Sequence, residues 1–255
     1  MAQFTFRKWL LWMIVLLAGL AGVGIVAVSL GAVSIPLPQT WKIIAHSLFP
    51  FSGEAGFTAS ESSIILDVRL PRVISGMLVG ASLAIAGAVL QALLRNPLAD
   101  PFVLGISSGA AVGAVLAILL GFGATLLGNY AIPGAAFAGA LLTLFLVYAV
   151  ARVEGRIPTQ TMLLAGVIVS SFFSAVIMFL ISFTSDERLH DVIFWLMGNL
   201  EYISSRALAV IFSFLLGGSI VLFSLARDLN IMSLGEETAS ELGEEVERVQ
   251  KIAVI

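Results

Sequence analysis

The sequence predicts an all-α, polytopic transmembrane bundle, and three observations lead there. Hydrophobic residues make up 59% of the 255-residue chain and charged residues only 11%, against about 25% charged in an average soluble domain. Six runs are long enough to cross a bilayer, since about 20 apolar residues cover the hydrocarbon core. No charged residue occurs between Pro101 and Ala151, which leaves room for two spans joined by a turn at Gly128, Asn129 and Tyr130. The absence of cysteine excludes disulfides and thiolate metal sites.

The first span, 9–33, runs too long for a signal-peptide core and lacks a cleavage pattern. The others are placed at 73–94, 103–122, 133–151, 161–183 and 207–226. Residues 184–206 are too short and polar for another crossing and read as a loop with a short helix ending in FWLMGNL (194–200). Ile252, Ala253, Val254 and Ile255 begin a further apolar run that cannot span by itself. The expectation is therefore six complete spans, the start of a seventh, and a C-terminally truncated chain. Residues 1–255 read as one transmembrane domain with a cytoplasmic N-terminus.

Orientation follows from the basic residues. With the N-terminus inside, Arg7, Lys8, Arg95, Arg152, Arg156, Arg227, Arg248 and Lys251 are cytoplasmic, whereas Lys42, Arg69, Arg72, Arg188 and Arg206 are external. Eight against five is the expected bias. The external segments also carry Glu54, Glu61, Asp67, Asp186, Glu187, Asp191 and Glu201. Arg69 and Arg72, in RLPR ahead of the second span, go against the rule. As anchors they would snorkel to the outer headgroups, with Pro71 at the first position of the helix.

The second span repeats small residues every four positions, at Gly76, Gly80, Ala84, Ala88 and Ala92. In lipid, small residues let helix backbones approach, so this helix is expected to be surrounded by protein. Gln91 near its inner end needs a partner or access to water. RNPLADP (95–101) follows, and its Pro97, Pro101, Asn96 and Asp100 suit a kinked, capped turn. Gly105, Gly109 and Gly113 continue the small-residue spacing on the third span. GISSG (105–109) is no nucleophile elbow, because no strand precedes it and neither His46 nor His190 has a reason to approach.

Energy-coupling chemistry is missing. No GxxxxGK[ST] loop occurs, so this chain cannot hydrolyse ATP by the usual route. The spans hold none of the ionisable residues expected of a proton-coupled carrier. Any energy coupling would therefore have to pass to another protein through a cytoplasmic surface. Residues 227–249, RDLNIMSLGEETASELGEEVERV, are the candidate, with seven acidic residues, a Ser233–Glu236 capping box, and Gly243 to end the short helix. A solvated loop helix would account for the same composition.

RLPRVISGMLVGASLAIAGAVLQALLRNPLADPFVLGISSGAAVGA (69–114), MLLAGV (162–167), FWLMGNL (194–200) and LNIMSLGEETASELG (229–243) resemble, in order, the signature segments of FecCD-type permeases. These are the membrane subunits of ABC transporters that import iron-siderophores, haem and cobalamin, and they have ten spans. The resemblance implies that Arg69 and Arg72 dock the binding protein by pairing with its glutamates, a task suited to the guanidinium fork. It implies that Asn96 and Leu98 line a cytoplasmic gate, with Thr159 and Gln160 as a second layer. Gln160 stands where the family commonly has a small hydroxyl residue. It also implies a coupling helix that contacts the nucleotide-binding subunit through Leu234, Gly235, Glu236, Ala239 and Leu242.

The expected protein is a transport subunit and not an enzyme, with no cofactor and no nucleic-acid partner. It would lie in the bacterial cytoplasmic membrane as a homodimer or beside a homologous permease. Its other partners would be an ATP-binding subunit and a periplasmic or lipoprotein binding protein. Alternatives are a secondary transporter, which predicts ionisable residues at mid-membrane, a membrane-embedded enzyme, and an ABC permease for bare divalent metal ions. No cluster of His, Asp and Glu with metal-ligand spacing occurs.

Overall fold

The computed structural model describes residues 5–49, 56–122, 130–152, 158–200 and 204–254. Glu54, Arg156, Glu201, Ile255 and the turn residues Gly128 and Asn129 lie outside the described residues. Every element among the described residues is helical: α1 (Phe6–Ser29), α2 (Leu37–Leu48), α3 (Ala59–Ser63), a π-helix (Ile64–Arg69), α4 (Leu70–Leu94), a 3-10 turn (Pro101–Leu104), α5 (Ile106–Leu119), α6 (Ala131–Ala151), α7 (Thr159–Ser182), α8 (Asp186–Met197), α9 (Ser205–Ser224), α10 (Ala226–Met232), α11 (Glu236–Glu241) and α12 (Val246–Val254). Five are long and apolar enough to cross a membrane, while α5 is a shorter apolar helix. The polytopic all-α class expected from the sequence is the one observed. α8 is the short helix expected between the last two spans.

Two boundaries differ from expectation for identifiable reasons. The second span was placed from Val73, but helix runs without interruption over Ala59–Leu94, 36 residues. Thr58 and Glu61 start it with a reciprocal capping box, Thr58 N–H donating to Glu61 Oε2 at 2.8 Å and Glu61 N–H to Thr58 Oγ1 at 3.2 Å. Pro71 therefore lies inside helix, not at its entry. A proline there deprives the helix of an N–H and crowds the preceding carbonyls. The π-helix just before it takes up that misfit, with Leu70 N–H bonding five residues back to Ile65.

The third span is also interrupted. Its first residues form the 3-10 turn, and only 14 residues are α-helical, about 21 Å of rise. Irregular backbone at such a position is tolerated where protein buries it, and Leu104 in the turn is fully buried.

The chain divides into two compact units, Met1–Gly80 with Leu200–Phe214, and Ala81–Asn199 with Leu215–Ile255. In the first, Val28 of α1, Ile35, Ile43 of α2 and Ile65 of the π-helix form a buried cluster. In the second, α5 and α6 approach most closely. A Cβ on Gly109 would meet the Gly139 carbonyl oxygen at 2.7 Å, and one on Gly113 would meet the Ala135 carbonyl carbon at 2.9 Å. The Gly109-xxx-Gly113 and Ala135-xxx-Gly139 pairs are thus the small-residue seam of this bundle. Gly105 is not part of it. It stands in the left-handed conformation, φ 74°, between the 3-10 turn and α5.

The small stripe on α4 behaves otherwise. Gly80, Ala84 and Ala88 are exposed, and a Cβ at Gly80 would meet nothing within 4 Å. Among the described residues the stripe is covered only at its ends: a Cβ at Gly76 would meet Leu200 at 3.5 Å, and Ala92 packs on a buried cluster. A four-residue period names the packing face of a helix, not what packs against it.

Candidate functional site

The RNPLADP turn is built from local caps. Arg95 takes the left-handed conformation, φ 49°, uncommon for a residue with a side chain. This lets Asn96 N–H reach back to the Gln91 carbonyl at 3.3 Å, the long bond of a Schellman-type helix end. Asn96 Oδ1 then accepts the Leu98 N–H at 2.9 Å, and Asp100 Oδ1 accepts the N–H groups of Phe102 at 2.8 Å and Val103 at 3.2 Å, capping the 3-10 turn. Gln91 donates to the Ala99 carbonyl at 3.4 Å, which supplies the partner its position requires. Held this way, Leu98 projects outward, 86% exposed.

The turn shares a core with the acidic segment. Leu93, Leu94, Ala99 and Leu104 lie in one buried cluster with Met162 and Ala165 of α7 and with Leu229, Met232, Ala239 and Val249. Gly166 admits the 3-10 turn closely, since a Cβ there would lie 3.0 Å from Leu104 Cα. Thr159 is the first residue of α7 and half-buried, and Gln160 is exposed.

α11 is shaped by glycines at both ends. Its N-cap is Gly235, φ 135°, within 3.9 Å of whose Cβ position the Arg95 guanidinium lies. The expected Ser233–Glu236 capping box would need Ser233 at the N-cap, but that place is Gly235's; Ser233 ends α10, where its hydroxyl donates to the Asn230 carbonyl at 2.6 Å. At the other end Gly243, φ 86°, completes a Schellman motif: Glu244 N–H bonds Ala239 O and Gly243 N–H bonds Ser240 O, both at 3.0 Å. Of the residues on this element, Ala239 is fully buried in the chain's own core, whereas Leu234 and Leu242 are 70% and 62% exposed.

The two RLPR arginines have different surroundings. Arg72 is exposed. Arg69 is half-buried, and its Nη1 donates to the carbonyls of Val28 at 3.1 Å and Ser29 at 2.8 Å, while Nη2 donates to that of Val33. The first two are end carbonyls of α1, a helix with no basic residue in its own last turn. Arg188 does the same for α5, Nη1 donating to the Leu119 carbonyl. Sequence reasoning gave neither arginine a capping role, since nothing local marks a donor that caps a helix from 40 or 69 positions away. Arg95 was likewise missed as a strained turn residue. Among the described residues no group of three or more His, Cys, Asp and Glu side chains is placed to hold a metal ion.

Comparison with known proteins fits this geometry. The chain is 37% identical over 233 residues to the ABC transporter permease YvrB of Bacillus subtilis, covering 91% of the chain and 65% of that protein. It is 43% identical over 197 residues to the cobalamin import permease BtuC of Halobacterium salinarum, covering 77% of the chain and 52% of that protein. A solved ABC transporter described as metal-chelate type, in an inward-facing conformation, superposes with a TM-score of 0.75 at 28% identity, covering 98% of the chain and 71% of the solved one. The chain thus spans between half and two thirds of the length of these two curated relatives. The sequence pattern of the FecCD transport family matches residues 15–255, and the chain belongs to that family.

Proposed function

We propose that this chain forms the membrane permease of an ATP-binding cassette importer, in the bacterial cytoplasmic membrane with its N-terminus inside. It lines the path of an iron-siderophore or related chelate, haem or cobalamin included, delivered by a periplasmic or lipoprotein binding protein. It works as a homodimer or beside a homologous permease, and hydrolysis takes place on a separate ATP-binding subunit. The family match over residues 15–255 carries this reading; the chelate class is suggested by the relatives. Residues 227–249 are the coupling segment. Leu234 and Leu242, exposed on either side of α11, form the contact with the ATP-binding subunit together with Glu236. Ala239, buried beneath them, seats the helix, and Gly235 supplies the bend at its start. Because the segment shares its core with the NPLADP turn, movement of α11 reaches Asn96 and Leu98 at the gate as a rigid-body shift, with Thr159 and Gln160 as the neighbouring layer.

The test is chelate-dependent stimulation of ATPase activity in liposomes, using the full-length permease, the ATP-binding subunit and candidate binding proteins. Failure of an ATP-binding subunit to co-purify, with no stimulation by any candidate, would overturn the reading. Leu234→Asp with Leu242→Asp is expected to weaken subunit binding by about tenfold or more, as for an exposed apolar anchor, without loss of folded permease.

A further inference from the structure

We infer that α2 is an interfacial helix: its stripe of Leu37, Trp41 and Leu48 lies in the outer leaflet, where headgroups meet acyl chains, beside the end of α1. The choice of leaflet rests on the orientation proposed above, with the N-terminus inside; the contact with lipid does not.

α2 carries three different faces. Thr40 and Ile43 are fully buried, and Ile43 sits in the cluster with Val28 of α1, Ile35, and Ile65 of the π-helix. On a second side His46 meets the Phe57 ring edge-on, the ring centroids 5.6 Å apart, and Lys42 is exposed. The third side is apolar and open. Leu37, Trp41 and Leu48 are 48%, 57% and 68% exposed, with Ile44 half-buried between them. Positions 37, 41, 44 and 48 fall on one stripe of a helix. At 12 residues, about 18 Å of rise, α2 cannot cross a hydrocarbon core of about 30 Å.

Depth and neighbours identify what covers the stripe. α1 has 24 residues, about 36 Å of rise, so its last turn reaches past the hydrocarbon. Val28 in that turn shares a cluster with Ile43, which holds α2 level with the membrane edge. α1 is itself open along most of its length, only 11% of its apolar window being buried. The exposed Leu30 and Val33 carry this open apolar surface on to Leu37. The stripe therefore continues a surface that already faces lipid. The aromatic residues agree. α1 has Phe6, Trp9 and Trp12 at its N-terminal end and no aromatic residue from Met13 to Ser29. Aromatic belts mark both edges of a membrane, and Trp41 supplies the one that the C-terminal half of this span lacks. Charge also fits a phospholipid surface. α2 has no acidic residue, and Lys42 beside Trp41 stands where an ammonium meets headgroup phosphate.

The experiment uses the full-length permease in vesicles of phosphatidylcholine and phosphatidylglycerol, with Trp41 as the only tryptophan kept (Trp9→Phe, Trp12→Phe and Trp195→Phe among the others). Its fluorescence should be quenched most by lipids brominated near the glycerol end of the acyl chain and little by those brominated at the chain terminus. Adding a candidate binding protein should leave the quenching unchanged. Trp41 unquenched at every depth overturns the proposal, as does quenching that a docked binding protein removes. Either result gives the stripe to a protein surface.

Single cysteines introduced by Leu37→Cys, Lys42→Cys and Leu48→Cys read the faces and the leaflet without the tryptophan background. In spheroplasts, a membrane-impermeant maleimide should label Lys42→Cys from outside. Leu37→Cys and Leu48→Cys should react about tenfold more slowly, which is about 1.4 kcal/mol of occlusion. Equal labelling at all three positions puts the stripe in water and overturns the interfacial helix. Labelling of Lys42→Cys only after the membrane is opened, with Trp41 still quenched, overturns the outer leaflet and the proposed orientation while the lipid contact stands.

Discussion

α1 and α4 end without a left-handed glycine, and they solve the same problem in opposite ways. Each exposes last-turn carbonyls that need donors. α4 finds its donor one step along the chain: Arg95 turns into the left-handed region and Asn96 N–H closes the end on Gln91. α1 continues into extended chain and borrows the Arg69 guanidinium from 40 residues away. The local solution puts strain on one residue and leaves its turn compact, with Leu98 displayed at its tip. The remote solution puts no strain on the turn but makes two distant segments depend on one side chain and on an empty position at Gly31.

The comparison is open to attack in order of expected effect. Gly31→Val should be the most damaging, costing about 2 kcal/mol or more as three charged hydrogen bonds are lost together; thermal unfolding in detergent reads it, and a small shift would mean that the remote cap is dispensable. Ala239→Leu comes next. Overpacking a fully buried alanine costs about 1–3 kcal/mol, and lifting α11 should weaken the ATP-binding subunit more than it lowers the melting temperature. Asp100→Ala removes one acceptor shared by two N–H groups, a cap worth about 1 kcal/mol, and should destabilise the 3-10 turn without changing hydrogen exchange near α1. Arg95→Gly is the smallest and has the opposite sign. By relieving the left-handed strain it should gain about 0.5–1 kcal/mol, and coupling of ATPase activity to transport shows whether the guanidinium near Gly235 contributes anything beyond the backbone turn.

Legibility followed the same division. The caps at Asn96, Asp100 and Gly243 were readable because each acts within a few residues, where residue type nearly dictates geometry. The Thr58–Glu61 box obeys the same local rule, but Pro71 drew the expected helix start to the wrong place. The Ser233–Glu236 pair fits the pattern of a box, yet α11 starts from Gly235, because α10 claims Ser233 before α11 begins. Arg69 and Arg188 were not readable as caps at all. As for the candidate site, its residues were placed by segment-by-segment resemblance. Whether Leu234 faces out and Ala239 in depended on which face of a six-residue helix met the core.

By itself the sequence determined the helical class, the order of the apolar segments and the family. Each of these rests on runs and spacings within some 20 residues, the scale over which burial in lipid and backbone pairing act. Only the tertiary structure decided which arginine holds a helix end and which stays exposed, and which glycines are seams. Those outcomes depend on groups that meet in space after long stretches of intervening chain, and no local pattern records such a meeting.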